Sequence, residues 1–138
     1  ILTTGPQMRR YFFSVDQAVS LVDQALRLKD KLNGKILSVE MKSSKMIDIL
    51  KTWIKKYGGK YKIINTRKGD RLDEYLIGED ELKYTQELKI KGKKYYIIDF
   101  NKLSKKPLKK VVSSANAKRL STSEIEKIIQ FGINNNDL

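Results

Sequence analysis

The sequence predicts a small α/β domain, and three observations lead to this prediction. Helical patterns of apolar residues alternate with short β-favouring segments, the connections between them are short, and a later pair of β-favouring segments surrounds a glycine turn. A chain of 138 residues suits one domain with a buried core. Strands and helices that alternate along the chain favour a sheet packed against helices over a helical bundle.

The first helix is expected over residues 15–32, because apolar residues recur there on one face. Ser14 and Gln17 form a capping-box pattern at its start, and Asn33 with Gly34 supplies a left-handed stop after its end. The apolar positions of this face are Ala18, Val22, Ala25 and Leu26.

A strand is predicted over residues 35–41 and a second helix over residues 44–57, ending at the glycine pair 58–59. A short strand over residues 61–64 then leads into a loop. The apolar face of the second helix carries Met46, Ile47, Ile49, Leu50, Trp53 and Ile54.

The second half of the chain is expected to contain a hairpin. Residues 71–77 favour a brief helix, and the segments 82–90 and 94–100 then flank a glycine turn at residues 91–93. Both flanking segments are rich in tyrosine and isoleucine, which strands favour.

Residues 101–120 show no clear period, and a last helix is predicted after Ser121, which forms a capping-box pattern with Glu124. We therefore predict one lobe over residues 1–100 and a basic extension over residues 101–138 that ends in a short helix.

The net charge of +13 comes from 29 basic and 16 acidic residues, and 23 of the basic residues are lysines spread along the chain. Lysines spread in this way are typical of a solvated surface. The alternative is a basic nucleic-acid-binding module that uses lysines beside the hairpin tyrosines. The sequence has no cysteine and no histidine, so neither a catalytic constellation nor a metal site is predicted. No apolar run approaches the roughly twenty residues of a membrane span, and a soluble cytoplasmic protein is expected.

Two arginine-bearing loops give the strongest functional signal. Residues 5–12 carry Arg10 at the entry to a helix, and residues 65–71 carry Arg67 after a strand. A guanidinium offers forked donors that match a phosphoryl group, so two arginines brought together by folding would hold a pyrophosphate. The alternative is that these arginines are ordinary surface residues on plain turns.

Five short motifs follow one another in an order typical of one enzyme family. The matching positions are Met8, Arg10, Tyr11 and Ala18, then Gly34, Ile36, Ser43, Lys45 and Asp48, then Arg67, Gly69, Leu72 and Glu74, then Tyr84, Thr85 and Glu87, and finally Ser114, Asn116, Arg119, Leu120 and Glu124. Together they resemble the C-terminal portion of extended short-chain dehydrogenase/reductases that act on nucleotide sugars, in the capsule-type (CapD-like) branch of UDP-N-acetylglucosamine 4,6-dehydratases and epimerases. The departures from the pattern are Arg9 for threonine, Lys68 for proline, Asp70 for glutamate, Arg71 for lysine and Asp73 for histidine.

This resemblance implies an α/β substrate-binding lobe without its Rossmann domain. In it, Arg10 and Arg67 would bind the UDP pyrophosphate and Asp70 the uridine ribose. NAD(P) and the catalytic Tyr-x-x-x-Lys pair would belong to a missing N-terminal Rossmann half, so the chain is expected to bind no cofactor and to be inactive alone.

The expected partners are a UDP-sugar and the missing Rossmann half, with a homo-oligomer also open. The chain begins at Ile1 rather than methionine, which favours a fragment or split-gene product of a polysaccharide-biosynthesis enzyme. A remnant that folds without catalytic function is the third interpretation.

Overall fold

The structure is a computed structural model, and it describes residues 1–65 and 68–134. The α-helices are Val15–Arg27 (α1), Lys29–Leu32 (α2), Met46–Tyr57 (α3) and Thr122–Asn134 (α4). The strands are Leu2–Thr3 (β1), Arg9–Phe12 (β2), Ile36–Val39 (β3), Lys42–Lys45 (β4), Lys62–Ile63 (β5), Tyr75–Ile77 (β6), Thr85–Ile90 (β7), Lys93–Ile98 (β8) and Val112–Ser113 (β9). This mixture of helices and small sheets confirms the predicted α/β class.

The first helix starts where it was predicted but ends earlier. The Gln17 N–H donates to the Ser14 hydroxyl (3.2 Å), and the Ser14 N–H donates to the Gln17 side chain (2.8 Å), which completes the capping box. The regular helix breaks at Leu28, with φ −103° and ψ 11°, so that α2 is a separate turn. Gly34, at φ +71°, then supplies the predicted left-handed stop.

The start of the second predicted helix belongs instead to a strand. Ser44 and Lys45 lie in β4, which pairs antiparallel with β2 at the partners Arg10 and Arg9. Their backbone groups are used by this ladder, so α3 begins only at Met46. The strand pairing thus places the arginines of β2 beside the first turn of α3.

The largest sheet is antiparallel, with the strand order β3-β8-β7. The predicted hairpin is confirmed, and its two-residue turn consists of Lys91 and Gly92, both with positive φ (47° and 77°). As the central strand, β8 contributes four of the buried core residues, which are Tyr95, Tyr96, Ile97 and Ile98.

The brief helix predicted over residues 71–77 is wrong. Residues Tyr75–Ile77 form β6, which pairs antiparallel with β9, with Tyr75 opposite Ser113. Ile77 is fully buried and packs in a core cluster with Tyr96 and Ile98. This tertiary packing overrides the local helical pattern.

The segment after residue 100 makes many contacts with the rest of the fold. The Ser43 N–H donates to the Lys118 carbonyl, and the Leu120 N–H donates to the Ser43 carbonyl, both at 2.9 Å. Ile125 and Ile129 of α4, which follows its predicted cap, are buried where α4 meets α3. The division of the chain at residue 100 stays a prediction.

Candidate functional site

The second arginine loop lies against the strand that carries the first arginines. We include residues 72–74 in this loop, and it is tied to β2 at Arg9, whose backbone N–H donates to the Leu72 carbonyl (2.8 Å). The Arg9 guanidinium also donates to both carboxylate oxygens of Asp73 in a forked pair. Folding therefore brings the two loops to one surface.

Arg10 lies on the same strand, with its guanidinium against the backbone of the second loop. Its Nη2 donates to the Arg71 carbonyl (3.0 Å), and its Nη1 donates to the Arg9 carbonyl (2.9 Å). Its Nε lies 3.4 Å from a carboxylate oxygen of Glu74, and a quarter of the side chain is exposed. Arg10 thus holds the loop in place, and an anion that binds Arg10 has to exchange with these contacts.

The other two predicted site residues belong to the second loop itself. Asp70 is exposed and follows Gly69, whose φ of +92° provides the tight backbone expected at this glycine. Arg67 and Thr66 lie outside the described residues. The role of Arg67 and its distance from Arg10 therefore stay predictions.

A buried hydroxyl supports the pair formed by Arg9 and Asp73. The Ser114 Oγ lies 3.1 Å from both an Asp73 carboxylate oxygen and the Arg9 carbonyl, and it accepts a hydrogen bond from the Glu74 N–H (2.9 Å). The hydrogen bond from Arg9 lowers the pKa of Asp73 against the effect of burial, and the Ser114 hydroxyl and the charge of Arg119 lower it further. Asp73 is therefore held as a charged, fixed carboxylate.

The residues that matched the terminal family signature build the turn that presents Ser114. Arg119 Nη1 donates to the Ser43 hydroxyl (2.6 Å) and to the Ser114 carbonyl (2.9 Å). Asn116 Nδ2 donates to the Val111 carbonyl (2.8 Å). In this structure the signature therefore has a supporting role behind the two loops.

Sequence reasoning missed the contact between Arg9 and Asp73, although a signal for it was present. Both residues are departures from the family pattern, with Arg9 in place of threonine and Asp73 in place of histidine. The structure joins them directly. Because these two positions depart from the family pattern with opposite charges, a contact between them was predictable.

The hydroxyl of Tyr11 is buried and has no hydrogen-bond partner among the described residues. Burial raises the pKa of this phenol, and the nearby Tyr96, Glu74 and Asp73 raise it further. Tyr11 is therefore a neutral group on the same strand as Arg9 and Arg10.

The hairpin tyrosines do not form a platform for nucleic-acid bases. Tyr95 and Tyr96 are buried in the central strand of the largest sheet. Tyr84 packs its ring against Phe100, with 5.5 Å between the ring centroids. Base stacking needs exposed ring faces, which Tyr95 and Tyr96 do not offer.

A cleft with a volume of about 400 Å³ lies elsewhere on the molecule, between α1, β8 and α4. Its lining combines apolar residues with lysines, and it includes Phe12, Leu21, Tyr95, Ile128, Lys93 and Lys127. Neither Arg10 nor Asp70 lines it.

Within residues 1–65 and 68–134, no group of three or more acidic side chains is placed to hold a metal ion. In the same ranges, no helix has both the length and the apolar character that crossing a membrane requires.

Comparison with known proteins gives a family, a relative and a solved structure. The model of a family described as "Polysaccharide biosynthesis protein" matches residues 1–98. The "Uncharacterized membrane protein MJ1061" of Methanocaldococcus jannaschii is 32% identical over 140 residues, which cover 94% of this chain and 40% of that protein. The X-ray structure of Pen from Bacillus thuringiensis covers 96% of this chain with a TM-score of 0.76 and 22% identity.

The structural match establishes a shared fold. It extends over 40% of the Pen chain, and the chain thus spans about 40% of the length of both proteins. More than half of each of these proteins lies outside the region that they share with this chain.

Proposed function

Because the chain belongs to the family of polysaccharide biosynthesis proteins, we propose that it is the nucleotide-sugar-binding lobe of a capsule-type UDP-N-acetylglucosamine 4,6-dehydratase or epimerase. The observation that carries this proposal is the forked contact between Arg9 and Asp73, because it fixes the second loop beside Arg10. The two arginine segments then share one surface. A cytoplasmic location belongs to the proposal, since a chain without cysteine suits a reducing compartment.

The charge of this surface supports the binding of a diphosphate. Residues 5–12 and 65–74 together carry five basic and three acidic side chains, which leaves an excess of two positive charges. They are Arg9, Arg10, Arg67, Lys68 and Arg71, and Asp70, Asp73 and Glu74. One carboxylate is already paired with Arg9, so the excess is carried by the remaining arginines and Lys68.

In the proposed complex, Arg10 exchanges neutral carbonyl acceptors for phosphate oxygens. The phosphate gives the guanidinium an acceptor with a full negative charge and a geometry that fits its forked donors, so the exchange with the Arg71 carbonyl is favourable. Arg67 supplies the second pair of hydrogen-bond donors to the diphosphate, and Asp70 accepts hydrogen bonds from the ribose hydroxyls. Asp73 keeps its role as the anchor of the loop.

The described residues do not fit NAD(P). The parallel strands among them are β1 and β5, and β1 leads through Thr4, Gly5 and Pro6 into another strand rather than into a helix. A dinucleotide site needs a glycine-rich turn at a helix start. We therefore propose that the nicotinamide cofactor and the catalytic residues belong to a domain outside this chain, and that this lobe binds and orients the nucleotide sugar.

The test compares UDP with uridine as ligands of the chain, by titration calorimetry. Arg67→Ala is expected to weaken UDP binding by about tenfold or more, because it removes a forked contact with the diphosphate. The affinity for uridine is expected to remain unchanged. Arg27→Ala removes the same charge from an exposed pair on α1 and serves as the matched control.

Two results would contradict this proposal. One is an Arg67→Ala chain that binds UDP as tightly as the unmodified chain does. The other is an equal loss of affinity in the Arg27→Ala control, because that loss would reflect net charge rather than a specific contact.

A further inference from the structure

Residues 100–110, which we call the lysine loop, carry positive charge without any acidic residue. Five exposed lysines lie in this loop, at Lys102, Lys105, Lys106, Lys109 and Lys110. None of the 16 acidic residues of the chain lies between residues 100 and 119. Within the described residues, no ion pair joins any of these five lysines to a carboxylate. The loop lies beyond residue 98, where the match to the family model ends.

The lysine loop is held against the fold at two points. The Ser104 N–H donates to the Lys83 carbonyl (2.9 Å), and the Leu108 N–H donates to the Leu82 carbonyl (3.3 Å). Because these two acceptors are neighbours in the chain, the exposed residues 105–107 form a short loop that projects from the surface. Adjacent lysines in such a loop lie within about one screening length, which is about 8 Å at physiological ionic strength, so their fields add.

Two large apolar side chains of the same loop are exposed. Phe100 is 52% exposed and Leu103 is 63% exposed. The Phe100 ring packs against Tyr84, and the Nζ of Lys83 lies 5.1 Å from the centre of the Tyr84 ring, which adds a sixth lysine to this surface. Binding to a lipid surface strengthens with buried apolar area and with attraction to anionic lipids, and this surface offers both.

The carboxylates near the lysine loop do not cancel its charge. Asp99 lies 3.7 Å from the Nζ of Lys35 and also accepts a hydrogen bond from the Asn101 N–H. Residues 79–81 are three carboxylates at the start of the 3₁₀ helix that carries Lys83. Against the six lysines, they leave an excess of three positive charges.

From this combination we infer that the lysine loop is the contact surface for an anionic lipid bilayer. The lysines bind the anionic headgroups, and Phe100 and Leu103 enter the interface between headgroups and acyl chains. Nucleic acid is the weaker partner, because the loop has no arginine and an aliphatic side chain such as Leu103 cannot stack on a base. This inference goes beyond the proposed function and does not depend on it.

The test is co-sedimentation of the chain with phospholipid vesicles. The chain is expected to bind vesicles of phosphatidylcholine mixed with phosphatidylglycerol, and to leave vesicles of phosphatidylcholine alone unbound. Lys105→Ala/Lys106→Ala is expected to weaken binding by about tenfold or more, because each basic residue near an anionic surface adds to the attraction. Leu103→Ser is expected to weaken it by about fivefold at unchanged charge, because it removes apolar area from the interface.

Lys51→Ala/Lys55→Ala is the matched control. It removes the same charge from two exposed lysines of α3, outside the lysine loop. Binding to the anionic vesicles is expected to weaken by about twofold at most in this control, because only the net charge of the chain changes.

Three outcomes would overturn the inference. The control loses as much affinity as Lys105→Ala/Lys106→Ala does, Leu103→Ser binds as tightly as the unmodified chain, or the chain leaves the anionic vesicles unbound while it binds a single-stranded oligonucleotide through Lys105 and Lys106. The last outcome would assign the loop to nucleic acid. The measurement involves no nucleotide sugar, so a failed lipid surface and a failed UDP site are distinguished.

Discussion

At the scale of single residues, Tyr11 stands out because its hydroxyl is buried without a partner among the described residues. A buried polar group that makes no hydrogen bond costs about 1–3 kcal/mol of stability. Phenylalanine keeps the same ring, so this cost belongs to the oxygen alone.

Tyr11→Phe is therefore expected to raise the free energy of unfolding by about 1 kcal/mol, because it removes the oxygen and keeps the ring. Urea denaturation of both chains measures this difference. Tyr75→Phe removes a hydroxyl from a side chain that is 58% exposed and is expected to change nothing. A loss of stability in Tyr11→Phe would mean that the hydroxyl has a partner in solution.

The residue scale also shows where sequence reasoning reached its limit. Arg10 was predicted to bind a ligand, and in the structure its guanidinium donates to the backbone carbonyls of Arg9 and Arg71. Every residue has a backbone carbonyl, so no pattern of side chains in the sequence predicts which carbonyls an arginine will contact. Arg67 and its pyrophosphate role stay predictions.

At the scale of elements, the helix caps and the hairpin turn were predicted correctly, whereas two strands that pair with distant segments were not predicted. The capping boxes at Ser14 and Ser121 and the hairpin turn depend on residues within a few positions of each other, and the structure has all three. The strands β4 and β6 were missed because their partners, β2 and β9, lie more than thirty residues away along the chain. Strand pairing between such distant segments leaves no periodic pattern of apolar residues in the local sequence.

The hairpin turn allows a test with opposite outcomes at neighbouring positions. Gly92→Ala is expected to lower the free energy of unfolding by about 1–2 kcal/mol, because φ +77° is strained for a residue with a Cβ atom. Lys91→Asn is expected to raise it by about 0.5 kcal/mol, because asparagine tolerates the positive φ of this position better than lysine does. Denaturant unfolding of both variants measures the two changes.

Equal effects of the two substitutions would contradict the assigned turn geometry. Gly132→Ala provides a reference, since its added methyl group meets no atom within 4 Å and lies in α4. It is expected to be neutral or stabilising, because alanine is the better helix former.

At the scale of the whole molecule, one polar network joins three distant parts of the chain. Arg9 of β2, Asp73 of the second loop and Ser114 of the terminal turn meet in it. Arg9 belongs to the ladder of β2 and β4, whereas Asp73 and Ser114 flank the ladder of β6 and β9, so the network fixes the relative positions of these two small sheets.

The lowered pKa of Asp73 makes this network sensitive to acid. A carboxyl whose pKa is lowered by folding contributes stability that is complete above its ordinary value of about 3.9 and is lost as the pH falls toward the lowered value. Thermal unfolding between about pH 5 and pH 2 is expected to show this loss, and the difference between the wild type and Asp73→Asn is expected to shrink across that range.

Glu124 adds a second acid-sensitive contribution, because the hydrogen bond from Lys42 and those from Ser121 lower its pKa to about 2. Glu124→Gln is therefore the control, and the Asp73→Asn effect is expected to persist in its background. A difference between wild type and Asp73→Asn that stays constant with pH would contradict the assignment to Asp73.

The Ser114 hydroxyl has a consequence for the order in which the protein assembles. It meets the Arg9 carbonyl across a separation of 105 residues in the chain. During synthesis the first arginine strand emerges 105 residues before this partner and waits for it, since contacts of such high order form late. The surface that carries the arginines is therefore completed only after Ser114 has left the ribosome.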